Sequence, residues 1–137
     1  MKNYLLSTIE ELAGTNQYTS DQKERKIEGS IIADLVDNDV DAVPSSVWVD
    51  DNNKDGLLAI AKFDQYEGMA DGDVLNVHIS HSTNLCAIRW ELTVYVAPDD
   101  NASCEHAKAF TKIHGMHAKA VFYDVLGLIK ATIAAAQ

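Results

Sequence analysis

The sequence predicts a single α+β domain over residues 1–137: two N-terminal helices, an antiparallel sheet of about four strands with one long strand, and a long C-terminal helix packed on the sheet. Three observations predict it. Apolar residues recur at helical spacing up to about residue 37. They then alternate with period two between residues 47 and 96. From Ala102 onward the composition turns helical, with nine alanines, four lysines and no proline.

Leu5, Ile9 and Leu12 share one helical face, and Gly14 follows as a stop, so the first helix is read over Asn3 to Ala13. Thr19 and Gln22 form a capping box, in which each side chain satisfies a backbone N–H of the first turn. Ile27, Ile31 and Leu35 continue as one stripe, giving a second helix over Ser20 to Asp37 that Pro44 prevents from continuing. Val47 to Val49 and Leu57 to Phe63 read as strands. Leu75, Val77 and Ile79 alternate with Asn76, His78 and Ser80, a strand with one wet face. His81 to Asn84 reads as a turn. Cys86, Ile88, Trp90, Leu92, Val94 and Val96 then occupy every second position. A strand of about 12 residues would reach roughly 40 Å at about 3.3 Å per residue, outreaching its neighbours. Its alternation places Ile88, Trp90, Leu92 and Val94 in the core. Two helices, Ala102–His114 and Met116–Ala135, are expected after the Pro98–Asn101 stop. The second is apolar on nearly all sides beyond Ala120, which calls for cover from another subunit.

Hydrophobic residues are 47% of the chain, enough to fill a core and too many for a disordered one. The net charge of −10 argues against direct contact with nucleic acid or an anionic membrane surface. The N-terminus lacks the long apolar run of a secretory signal. Asp124 and Lys130 interrupt the most apolar window, so no membrane span is expected. Cys86 and Cys104 are too few for a disulfide framework and are expected as free thiols in a reducing compartment.

Candidate chemistry is thin. Asp51, Asn53 and Asp55 with Gly56 fit the first half of a calcium loop. The position that needs a bidentate Glu is Lys62, and the flanks read as strands, so a plain hairpin turn is the better reading. His78 and His81 point to opposite faces of a strand. His114 and His117 are three apart on the expected helix, where they can share an ion, but His106 and Cys104 lie too far along to complete a zinc site. Solvated surface histidines are the expectation. Ser80, Ser82 and His81 lack the G-x-S-x-G context of a nucleophile, and no Gly-rich phosphate loop is present. Cys86 should be buried and inert. No enzyme activity, metal or cofactor is expected.

Charge is the most informative surface feature. Residues 34–73 hold eleven acids against Lys54 and Lys62, a net of −9. Residues 101–137 hold two acids against four lysines, a net of +2. Besides a purely solvating role, this asymmetry suits a head-to-tail contact between copies, with Asp34, Asp37, Asp39 and Asp41 on one side and Lys108, Lys112 and Lys119 on the other. It equally suits a decoy presented to a basic groove.

The order helix, helix, short strands, long strand and C-terminal helix, with the segment Arg89 to Asp100 followed by a helix, resembles the second half of tail-terminator and tail-completion (neck) proteins of tailed phages. The resemblance covers about residues 46–130 and carries no residue-level motif. It implies a non-enzymatic virion structural protein that forms a homo-oligomeric ring. Its partners would be copies of itself and other structural proteins, in the host cytoplasm or the virion. The alternative is a small acidic inhibitor, an immunity or anti-defence protein, bound to a basic enzyme surface.

Overall fold

In a computed structural model, residues 2–13, 17–50, 56–83 and 88–137 are described. Helix α1 spans Tyr4–Leu12 and α2 spans Ser20–Asp37. Strands β1 (Ser46–Val49), β2 (Leu57–Phe63), β3 (Val74–Thr83), β4 (Ile88–Ala97) and β5 (Ala109–Gly115) follow, then helices α3 (Ala118–Val121) and α4 (Val125–Ala135). The strands form one antiparallel sheet in the order β1-β2-β3-β4-β5, each paired with its neighbour in sequence. The α+β reading holds.

The N-terminal half follows the sequence closely. Asn3 caps α1, its side chain accepting from the Leu6 N–H. The Thr19 capping box is formed, with Gln22 N donating to Thr19 Oγ1 and Thr19 N donating to Gln22 Oε1. Ile27, Ile31 and Leu35 are buried as one stripe. Helix α2 ends in a Schellman motif: Val40 N–H donates to Leu35 O at 2.9 Å and Asp39 N–H to Val36 O at 3.2 Å. Asp39 takes the left-handed position of that motif, with φ +56°.

The second half differs in three places. Residues 102–114 are not a helix; they form a 3₁₀ turn at Cys104–His106 and the strand β5. The alanine-rich average hid a local β pattern, in which Thr111 and Ile113 alternate with Phe110, Lys112 and His114. A buried β4 also needs a second hydrogen-bonding neighbour, which β5 supplies through the register Trp90↔Gly115 to Val96↔Ala109. The strand–turn–helix segment behind the phage resemblance is therefore strand–turn–strand. Second, β3 runs through the expected turn: His81 pairs with Trp90 and Ser82 with Arg89, so β3 and β4 match at 10 residues each, and β4 outreaches only β5, of 7 residues. Third, the C-terminal helix breaks at Phe122–Asp124. Asp124 caps α4 by accepting from the Gly127 N–H at 3.0 Å, and a Cβ at Gly127 would collide with that carboxylate.

The register sorts the side chains into two faces. Leu57, Ala59, Ala61 and Phe63 of β2 point inward with Leu75, Val77 and Ile79 of β3 and Trp90, Leu92, Val94 and Val96 of β4, all buried. The helices lie on this inner side, with α4 against β4 and β5 and α2 against β1. Thr132 of α4 meets Thr111 of β5 through their hydroxyls at 3.1 Å. Helix α4 is one-sided after all. Val125, Ile129 and Ile133 are buried, while Lys130, Ala131, Ala134 and Ala135 face solvent. Three alanines and Lys130 make that outer face, so the helix does not itself require cover.

Candidate functional surfaces

Among the described residues no α-helix covers the outer sheet face, but the 3₁₀ turn Cys104–His106 packs on β4, and at that end of the face Val74, Asn76, Tyr95 and Ala97 are buried. One row across the face reads Trp48, Ile60, His78, Thr93 and Lys112; the next reads Ser46, Lys62, Asn76, Tyr95 and Phe110. Trp48 and Phe110 are each 49% exposed. The His78 and Tyr95 rings lie 5.2 Å apart in mid-sheet. Burial, and then the Lys62 ammonium, hold the His78 imidazole below its ordinary value. Lys62, Arg89 and Lys112 share this face with Glu91, which pairs with Lys112 at 3.4 Å. A chain of net charge −10 thus turns a cationic, aromatic plate outward. Sequence reasoning missed this face. The signal was present: alternation that buries Val49 turns Trp48 outward, and alternation in 109–115 does the same for Phe110.

The second surface is the shoulder where α2 meets β1. Asp37, Asp39 and Asp41 are exposed there beside Val36 and Val43, which are 70% and 67% exposed. A groove of about 690 Å³ adjoins it, lined by Asp41, Val43, Asp64, Tyr66, Glu67 and Asp71. Glu67 Oε2 accepts the Asp41 N–H at 3.0 Å and fixes the rim. Burial, with Glu67 adding to it, pushes the Tyr66 phenol up to about 12. Among the described residues no ion pair neutralises these acids. Two of them sit against local physics: carboxylates at a helix C-terminus oppose its dipole, and the left-handed site of Asp39 suits Gly better.

The seven charged residues proposed for contact fare differently. Asp34 is buried and caps α1 from α2, its Oδ1 accepting from Tyr4 N–H at 2.8 Å and Oδ2 from Leu5 N–H at 3.0 Å. Both oxygens are engaged, so a partner finds no free carboxylate there. Asp37, Asp39 and Asp41 are exposed at the end of α2 and just beyond it. Lys108 pairs with the buried Asp73 at 2.8 Å and Lys112 with Glu91, on β5 and its approach, while Lys119 stands on α3. The three lysines form no helical face.

The histidines also scatter. His114 is on β5, His117 precedes α3, and His106 is in the 3₁₀ turn. His81 is buried rather than solvated, because β3 continues past it and the alternation turns it inward. Its ring stacks on Trp90 at 3.9 Å, Trp90 meets Phe122 edge-on at 5.6 Å, and His81 Nδ1 has no hydrogen-bond partner among the described residues. Among the described residues no three His, Cys, Asp or Glu side chains converge on a metal site. The calcium-loop positions Asp51, Asn53 and Asp55 lie outside the described residues, as do Gly14, Cys86 and the side chain of Ile88; Cys104 is exposed. No helix of the described residues is long and apolar enough to cross a membrane. No family model, curated protein or solved structure matches the chain.

Proposed function

We propose that this chain is a non-enzymatic assembly protein that associates with further copies of itself, and that its setting is a ring of the phage tail or neck. One observation carries the assembly reading: a single small domain presents an exposed cationic plate with Trp48 and Phe110 and, elsewhere, an acidic shoulder with Val36 and Val43. Aromatic anchors amid charge of one sign, and apolar side chains amid charge of the other, are what a repeated contact between copies requires. The tail-or-neck setting rests only on the coarse order of two helices, an antiparallel sheet and a C-terminal helix, since the strand–turn–helix segment of the resemblance is a strand–turn–strand here. Native mass tests the reading. At about 100 μM, where micromolar contacts are populated, light scattering should show a closed oligomer larger than a dimer. A strict monomer at both low and high salt overturns it.

The acidic-inhibitor reading is favoured by a different observation, the unpaired carboxylates around the 690 Å³ groove. It expects a monomer or dimer that binds a lysine- and arginine-rich amphipathic peptide, with the binding removed by Asp64→Asn with Glu67→Gln. Calorimetry with such a peptide decides it.

A further inference from the structure

We propose that the outer sheet face of one copy receives the acidic shoulder of a second copy, head to tail; this rests on the assembly reading and names its two surfaces. The edges of the sheet are poor candidates. On β1 the Val49 N–H already donates to Glu24 Oε1 of α2 at 3.1 Å, and β5 carries the exposed Lys112, a guard against strand addition. The outer face, which Lys112 shares, offers side chains rather than a backbone edge. Its anchors Trp48 and Phe110 sit on the outermost strands, and Lys62 and Arg89 have no acidic partner within ion-pair distance among the described residues.

The occupant is chosen by charge. A cationic plate selects an acidic partner, and this chain presents one in Val36 and Val43 set among Asp37, Asp39 and Asp41. Two plates placed face to face would oppose their lysines and arginines, which disfavours a two-fold dimer through this surface. Single-stranded nucleic acid also stacks on aromatic sheets, but a chain of net charge −10 repels a polyanion. The two patches are different, so the contact is heterologous and leads to a ring or a filament. Five strands about 4.8 Å apart make a plate about 20 Å wide. Its area is below the roughly 800 Å² per partner of a standard interface. Each contact is accordingly modest, of the micromolar strength that about 100 μM populates as an open dimer, and ring closure adds to it.

Complementary blocking tests this. A face variant, Lys62→Glu with Phe110→Ser, keeps its shoulder; a shoulder variant, Asp37→Lys with Asp41→Lys, keeps its face. At about 100 μM each alone should sediment as a monomer, and an equimolar mixture should give a 1:1 dimer and nothing larger. Circular dichroism confirms folding, and Lys62→Gln with Phe110→Thr replaces a face variant that fails it. An oligomeric wild type whose variants stay monomeric when mixed overturns these surfaces and leaves the assembly reading standing. A monomeric wild type removes both. Binding of a 20-nucleotide oligothymidine that the face variant loses, with no dimer in the mixture, assigns the face to nucleic acid and overturns the inference.

Discussion

His81 carries a titration that a core position rarely holds. His81 is 6% exposed, and its ring stacks on Trp90 with no hydrogen-bond partner for Nδ1 among the described residues. Burial therefore lowers its pKa below the ordinary 6.5. The unfolded chain takes up the proton near 6.5, whereas the folded chain resists it until lower pH. Between those two values the unfolded state binds more protons, so stability falls as pH falls through 6.5 and levels off below the folded value. His78 acts with the same sign, through burial and then Lys62. One such proton gives a slope of at most about 1.4 kcal/mol per pH unit. His81→Phe keeps a ring on Trp90 and removes the titration. The difference in melting temperature between this variant and the wild type should shift in favour of the variant from pH 7.5 to pH 5. An unchanged difference would mean that His81 protonates without cost in the fold.

At the scale of elements, the end of α2 shows stability set against surface charge. The Schellman motif closes correctly, but a non-glycine residue at φ +56° costs about 1 kcal/mol, and it places a carboxylate-bearing residue at the negative end of the helix dipole. Asp39→Gly should therefore raise stability by about 1 kcal/mol in chemical denaturation while weakening self-association. A variant that gains stability and assembles as well as the wild type would detach Asp39 from the contact. Elements whose signals are local were legible in the sequence, as the Thr19 box, the Ile27–Ile31–Leu35 stripe and the Trp90–Leu92–Val94 alternation show. β5 was not, because alanine is permissive and the requirement that makes residues 109–115 a strand comes from β4, far from any local window. The interruption at Phe122–Asp124 was missed for a related reason: the apolar run continues through it, and Asp124 acts there as a cap rather than as a flaw in a helix. The candidate surfaces were half legible. Acidity along residues 34–41 was visible as charge, but that Asp34 spends its carboxylate on the start of α1 depends on how two helices pack, and the cationic plate exists only once five strands are in register.

For the whole molecule, charge acts on fold and assembly with opposite signs. The chain carries net −10, and Asp37, Asp39, Asp41, Asp64, Glu67 and Asp71 gather around one shoulder and groove. Within one copy these carboxylates repel each other, and salt screens that repulsion as the Debye length falls from about 10 Å at 0.1 M to about 3 Å at 1 M. Sodium chloride should therefore raise the melting temperature of the dissociated protein, by roughly 4 °C for each kcal/mol of repulsion removed from a domain of this size. The contact between an acidic shoulder and a cationic plate should weaken over the same range. Assembly itself stabilises the fold by mass action, so the two effects must be read at different concentrations. Melting belongs at about 1 μM and mass at about 100 μM, with chloride in preference to sulfate, which strengthens apolar burial in any protein. The expected outcome is a melting temperature that rises with salt while the mass falls. Asp37→Asn, Asp41→Asn, Asp64→Asn and Glu67→Gln combined should flatten the rise, since the introduced glutamine amide can still accept the backbone N–H that Glu67 accepts. A melting temperature that is flat or falls with salt at 1 μM would show that repulsion among these acids does not strain the fold.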